Sequence, residues 1–444
     1  MSGNKLTALA LLSLLGAASA ASGQGLGNSP YSRLGLGDFN PNVGGVRQQG
    51  MGGVGLAAPN AIQVNELNPA LLYYTSRTTY EAAFTGQLKQ LRSSTASQRT
   101  GSANLSYIAL GVPISRRWAL AAGLKPLSSV DYETVNIRSV EGNADALVRN
   151  ELTGSGGLSE VYLGHGVRLA KGLSLGVTTS YIFGTIDRSA YAIVQPPIEQ
   201  LEPEETLKRV GLVDRTQYTD FGFRTGLHYR RDLSKKIAAN VAAVYSFKTN
   251  LNGRRTLQQE TQDVNGTNLQ DPRILQDEVK GEAVLPGSLQ LGVSLDNNKN
   301  WSLSADVARQ QWSKYRDFNG TQQVFNNTWR VGIGGELAPD PSSVTSYFQR
   351  VTYRFGLSAA QLPYRPGGQA LYDRAVSWGF SFPFPTSSAL DATNMNLSFT
   401  YGQRGNSDVV TEGTVRQSNI KENYMRVQLG VSLNSRWFLK RRIE

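Results

Sequence analysis

The sequence predicts an all-β chain that closes into a transmembrane antiparallel β-barrel of about fourteen strands. Three observations carry that prediction: an export signal at the N-terminus, apolar residues at every second position from residue 78 onward, and connections that alternate short and long.

The export signal comes first along the chain. Lys5 precedes an apolar run over residues 6–18, followed by Ala18-Ser19-Ala20, which places signal-peptide cleavage after Ala20. The run is short of the roughly 20 residues that a membrane-spanning helix needs. No later stretch is apolar enough, so the mature chain is either secreted or an outer-membrane barrel. Composition narrows this further. Charged residues make up 18% of the 444 residues, against about 25% in ordinary soluble domains, while Gly (46) and Tyr (19) are abundant. The absence of Cys excludes disulfides, thiolate metal sites and cysteine nucleophiles. The net charge of +11 is scattered through turns without an arginine-rich tract, so nucleic acid is not expected as a partner.

Residues 21–76 do not alternate. They contain the small-residue stretch Gly50-Met51-Gly52-Gly53-Val54-Gly55-Leu56-Ala57-Ala58, which suits close packing of backbone on backbone. Alternation then begins. Leu289, Leu291, Val293 and Leu295 interleave with Gln290, Gly292 and Ser294, and Val427, Leu429, Val431 and Leu433 with Gln428, Gly430 and Ser432. Successive strand side chains point to opposite faces, so one face is apolar and the other small or polar. The expected strands are 78–90, 102–113, 118–133, 157–169, 173–187, 217–231, 237–251, 279–295, 301–315, 328–337, 347–361, 374–383, 393–403 and 423–435. Short turns at 115–117, 170–172, 232–236 and 296–300 belong on the periplasmic side, and long connections at 134–156, 188–216 and 252–278 outside. Trp118, Trp301, Trp312, Trp329, Trp437 and Phe438 fall at strand ends, where amphipathic rings meet lipid headgroups; Trp378 is the exception.

Alternation also assigns faces. With Phe221, Phe223, Leu227 and Tyr229 toward lipid, Arg224 and His228 turn inward. The same logic sends Arg330, Arg354, Arg426, Lys248 and Asp306 inward, because Arg on the lipid face costs about 2–4 kcal/mol at mid-depth. These arginines either hold an acidic head group or pair with internal acids such as Asp306, Glu160 and Glu66. An enzyme is not expected. His165 and His228 lie on opposite faces, and the strand of His165 offers Leu163 and Val167 rather than a serine partner. Two His also leave no basis for a metal site, and no cofactor is expected.

Several segments together resemble the FadL family of long-chain fatty acid transporters of the outer membrane. They are the small-residue stretch followed by Asn68-Pro69-Ala70; Leu285-Pro286-Gly287-Ser288-Leu289 running on to Trp301 and Trp312-Ser313; and Thr328-Trp329-Arg330-Val331-Gly332 with Tyr353-Arg354-Phe355-Gly356. The ending Trp437-Phe438-Leu439-Lys440 looks like that of Bacteroidota members. The resemblance implies a signal peptide (1–20), an N-terminal extension and hatch (21–76) inside the barrel (77–438), and a periplasmic tail (439–444). It implies a hatch built on Gly52, Gly53, Gly55, Asn68, Pro69 and Ala70. It also implies a lateral opening in the third strand, here at Pro126 and Leu127, where a proline cannot donate to the ladder. The function implied is passive uptake of hydrophobic or amphipathic molecules, with outer-membrane lipid and a hydrophobic ligand as partners and Arg224, Arg330, Arg354 and Arg426 as head-group candidates. The alternative is a non-transporting barrel that binds proteins at its outer loops within a secretion or assembly complex. Two departures stand out: an acidic stretch over 198–207 where the family has an apolar groove, and a stretch over 25–46 longer than the family's tail.

Overall fold

The structure is a computed structural model that describes residues 28–39, 44–140, 143–195, 207–384, 392–412 and 415–435. The expected signal peptide, most of the acidic stretch, Trp437, Phe438 and the expected C-terminal tail lie outside the described residues.

The barrel has fourteen antiparallel wall strands. They are β1 (Thr78–Arg92), β2 (Ser97–Ser115), β3 (Trp118–Val140), β4 (Asn143–Ala170), β5 (Leu173–Gln195) and β6 (Lys208–Asp232). Next come β7, in two pieces (Ala238–Ser246 and Thr249–Asp263), and β8, likewise (Arg273–Leu285 and Ser288–Asp296). The circuit ends with β9 (Trp301–Gln310), β10 (Thr328–Leu337), β11 (Thr352–Gln361), β12 (Tyr372–Phe384), β13 (Ala392–Arg404) and β14 (Lys421–Ser435). β14 pairs with β1 from Lys421↔Arg92 to Ser435↔Thr78 and closes the wall.

Face assignment follows the alternation. Phe221, Phe223, Leu227 and Tyr229 are each about half exposed on the outside, whereas His228 is fully buried on the inside. Lys248 is a correction: it falls between the two pieces of β7, where six residues of β7 oppose five of β6, and its side chain is exposed. Trp312 is another. It sits in a 3-10 turn beyond β9, and its ring is buried among Phe39, Tyr315 and Phe325. Residues 311–315 and 347–350 are therefore not strand.

The rim is uneven. β3, β4, β5 and β6 run 23, 28, 23 and 25 residues, whereas β9, β10 and β11 have 10 each. The stretches expected as long loops at 134–156, 188–216 and 252–278 are largely strand. At about 3.3 Å per residue, this side of the wall rises some 40 Å above the other.

Candidate functional site

The lumen is occupied by the chain's own N-terminal segment, in two tiers. The inner tier is residues 46–74. It begins with a short helix, Val46–Gly50, and ends in a 3-10 helix, Pro69–Tyr74. Between them the chain turns through Gly52, Gly53 and Gly55, all with positive φ. Two asparagines organise it. Asn65 Nδ2 donates to the Gly55 carbonyl and Asn68 Nδ2 to that of Leu56, while their Oδ1 atoms accept from Leu67 N, Asn68 N and Ala70 N. Asn68 thus caps the helix that Pro69 opens, as a side-chain oxygen before a first-turn proline should.

The wall is shaped to receive this tier. Gly166, Gly176 and Gly226 are paired neighbours on β4, β5 and β6. A Cβ on them would lie 2.6 Å from Pro69 O, 2.2 Å from Pro69 C and 2.1 Å from Asn68 Oδ1, respectively. On the opposite wall the paired Gly334 and Gly356 take Met51 in the same way, with clashes at 2.1 Å. Polar contacts finish the seat. Asp306 accepts from Gly55 N (2.8 Å) and Leu56 N (3.0 Å), Ser377 Oγ accepts from Gly52 N (2.6 Å), and Ser294 Oγ donates to Ala57 O (3.0 Å).

All four head-group candidates face inward, and each has an internal partner. Arg354 meets Glu336 at 3.1 Å, and Glu336 also takes a forked contact from Arg47 of the inner tier, at 2.6 and 3.1 Å. Arg330 donates to the carbonyls of Gly52 and Gly53. Arg224 donates to the Glu66 carbonyl and lies 3.6 Å from Glu160, which Lys125 also approaches at 3.2 Å. Arg426 donates to Gln87. Of the two uses open to these arginines, the geometry displays the internal one. Cavities among the described residues include two of about 260 and 280 Å³, besides a groove of about 1060 Å³ at Asn28, Leu88, Gln98, Asp131 and Glu133. The first is lined by Arg330, Arg404, Arg426 and Asp373 together with Phe39, Trp312 and Leu362, the second by Glu66, Lys125, Glu160 and Arg224 together with Pro126, Leu127 and Phe247. The buried Ser174–His228 contact (3.4 Å) lies beneath Tyr74.

Near Pro126 the wall has a seam. The β2–β3 ladder runs from Ser115↔Trp118 to Ile108↔Leu124 and stops, leaving the outer parts of β2 and β3 unpaired with each other. On its other side β3 stays paired with β4 through a bulge at Leu127, accommodated by Gly156 and Gly157 at positive φ.

The outer tier, residues 28–39, lies along the β3 edge in this seam. Ser29 N donates to Asp131 O, Asn28 bridges Glu133 N and O, and Asp38 and Phe39 pair with Ser129 and Ser128. From this edge the outer tier, a strap along β3, places Leu36 in an apolar cluster with Tyr132, Ile186, Tyr218, Trp312 and Tyr315. It is clasped by Asp38 against Arg404, with one of the two hydrogen bonds at 2.8 Å. Burial would raise the Asp38 carboxyl, but Arg404 outweighs it and holds the group below the usual carboxylate range. A depressed carboxylate contributes stability above its unfolded value of about 3.9, lost as pH falls through the lower folded value. The difference in melting temperature between the native protein and Asp38→Asn should therefore be flat from about pH 7 to 5 and shrink only below about pH 4. A difference that already closes at neutral pH would show that the clasp is not ionic.

Sequence reasoning missed Arg47, Glu336, Asp38, Arg404 and the cradle glycines. The glycines carried a signal, since they sit in register with inward polar residues such as Glu160, Ser174, Arg224, His228, Glu336 and Arg354 on the same strands.

A family model described as BamG matches residues 5–444. Among solved structures, the chain is similar to the P. putida toluene transporter TodX, with a TM-score of 0.56 at 16% identity over 89% of this chain and 99% of that one. It is also similar to a Pseudomonas aeruginosa FadL homologue (0.56, 13%, 91% and 100%) and to the CymD monoaromatic hydrocarbon channel (0.52, 17%, 90% and 99%). At these identities the likeness is one of fold. No curated protein sequence matches the chain.

Proposed function

Because this chain belongs to the BamG family and has the fold of FadL-type hydrocarbon channels, we propose that it is a sealed outer-membrane barrel that binds partner proteins through its tall extracellular wall. The observation that carries this reading is the lumen. Two tiers of the chain's own N-terminal segment fill it, and each inward arginine that could hold a ligand is engaged by the wall or by that segment. The tall wall supplies surface: Val135, Ile137, Val210, Leu212 and Ile274 are exposed on strands that extend past the apolar band. Contiguous apolar surface marks an interaction site, and Val135 with Ile137, like Val210 with Leu212, stand two apart on one face of a strand.

A second reading, passive uptake of hydrophobic molecules, draws support from the seam beside Pro126 and from neighbours titled as toluene transporters and hydrocarbon channels. In it, residues 46–74 act as a hatch and the strap must leave the seam before anything passes. One experiment separates the two. Ala57→Cys with Ser294→Cys pins the inner tier to β8, with no native Cys to compete. Uptake of toluene or of a long-chain fatty acid that stops on oxidation and returns on reduction would sink the sealed-barrel reading. Uptake that is the same with and without the protein, together with loss of other outer-membrane proteins in a deletion strain, is the result expected.

A further inference from the structure

On the low side of the barrel the outward face changes character along one cross-strand row. The row Val376, Tyr401, Met425, Leu88 and Gly101 runs across β12, β13, β14, β1 and β2 and is apolar. The next outward-facing row toward the outside is Arg374, Gln403, Asn423, Gln90 and Arg99 on the same strands. Just beyond it Lys421 pairs with Arg92, and on β9 the outward Arg309 pairs with Trp329 of β10. The apolar-to-polar step marks the outer edge of the hydrocarbon layer, and its cations lie at headgroup height.

The charge on this face is one-sided. From β9 through β14 and on to β2, no described outward position carries an acid; Asp306, Glu336, Asp373, Glu422 and Glu81 all point inward. No described ion pair involves Arg92, Arg99, Arg309, Arg374 or Lys421, and Arg374 only covers the Tyr372 ring. The tall side is different. There the outward Arg149, Arg209, Arg215 and Arg254 each lie within 3.6 Å of a carboxylate, and among the exposed cations Lys280 is without a described ion pair. Unneutralised cations in a row at the outer edge of a lipid-facing surface call for anions in the adjacent leaflet.

We propose that this face binds the phosphate groups of the outer-leaflet glycolipid, with Arg99, Arg374, Arg92, Lys421 and Arg309 as its contacts and the Gln–Asn row between them donating to the same oxygens. Guanidinium forks suit phosphate oxygens, and the apolar rows below accept acyl chains. The low rim leaves room for a bulky sugar headgroup that the tall wall would obstruct.

The test is native mass spectrometry of the full-length protein in mild detergent with bis-phosphorylated lipid A. The native protein should retain it. A variant with Arg92→Gln, Arg99→Gln, Arg309→Gln, Arg374→Gln and Lys421→Gln should retain about ten- to a hundred-fold less. Arg215→Gln with Arg254→Gln, on the tall side, should retain it as the native protein does. Should the five-site variant fail to fold, the native protein with dephosphorylated lipid A gives the same information and should lose retention. Equal retention of the two lipids, or by the five-site variant, would overturn the proposal and leave the row to a protein partner.

Discussion

Gly356→Val is expected to unseat the inner tier and to be among the most damaging single changes in the barrel. Its Cβ would fall 2.1 Å from Met51 C, 2.3 Å from Met51 O and 2.4 Å from Gly52 N. All three are backbone atoms of a chain that also touches the paired Gly334 and is tied to the wall by Gly52 N donating to Ser377 Oγ, so none can rotate away. The φ of Gly356 is not positive, so valine suits the strand and the effect isolates the contact. Overpacking of this kind costs about 3 kcal/mol at the upper end of its usual range. In the urea unfolding of the detergent-solubilised protein this should appear as a lower midpoint. Met51→Cys in that background should label rapidly with a thiol reagent while the same change in the native wall stays protected. Gly86→Val is the control. No atom lies within 4 Å of its Cβ position, so it should leave the midpoint unchanged or raise it. Equal effects at the two sites would remove the cradle from the account.

The second large effect is expected at Glu336. Its carboxylate is the shared partner of Arg47 and Arg354, whose side chains are 2% and 4% exposed. Glu336→Leu leaves two buried cations without an acid, and stranding a buried charge costs about 3–5 kcal/mol. Replacing all three residues with leucine should recover most of that loss, because a buried ionic triad is stabilising only relative to its own broken forms. The measurement is again the unfolding midpoint. If Glu336→Leu and the triple variant are equally destabilised, packing rather than charge explains the site. Arg354→Gln, which would distinguish acidic from neutral ligands if Arg354 held a head group, should on this geometry act mainly through Glu336 and the inner tier.

The parts of the structure that could be read from sequence are those where lipid imposes a pattern. Phe221, Phe223, Leu227 and Tyr229 alternate because one side of β6 meets hydrocarbon and the other the lumen, and that contrast fixed the direction of Arg224 and His228. Above the membrane the contrast disappears. Residues 134–139 and 273–280 form strands with water on both sides, so no period appears and the segments look like loops. Trp312 misleads for a related reason. A tryptophan beyond a strand end suits a headgroup belt or a cap of the lumen equally well, and only the fold around Tyr315 and Phe325 decides. The inner tier was legible as a seat for small residues, and Asn68-Pro69-Ala70 as its turn. Arg47 and Asp38 were not, because their partners Glu336 and Arg404 are 289 and 366 positions away and a single sequence holds no record of such pairings. Lys248 shows the limit of counting by twos: one extra residue resets the parity for whatever follows it.

The strap has a consequence for how the molecule is made. Residues 28–39 and 44–74 precede every wall strand, yet they end up enclosed by strands that are synthesised after them, from β1 to the closing pair of β14 with β1. A closed cylinder cannot be threaded sideways, so the wall must curl around its own N-terminus as a sheet curls around a mandrel. Lying along the β3 edge, Asn28 to Phe39 also keep that edge from zipping onto β2 beyond Leu124. A chain without this segment would leave the β3 edge above Leu124 free to pair with β2 and would lack the seam.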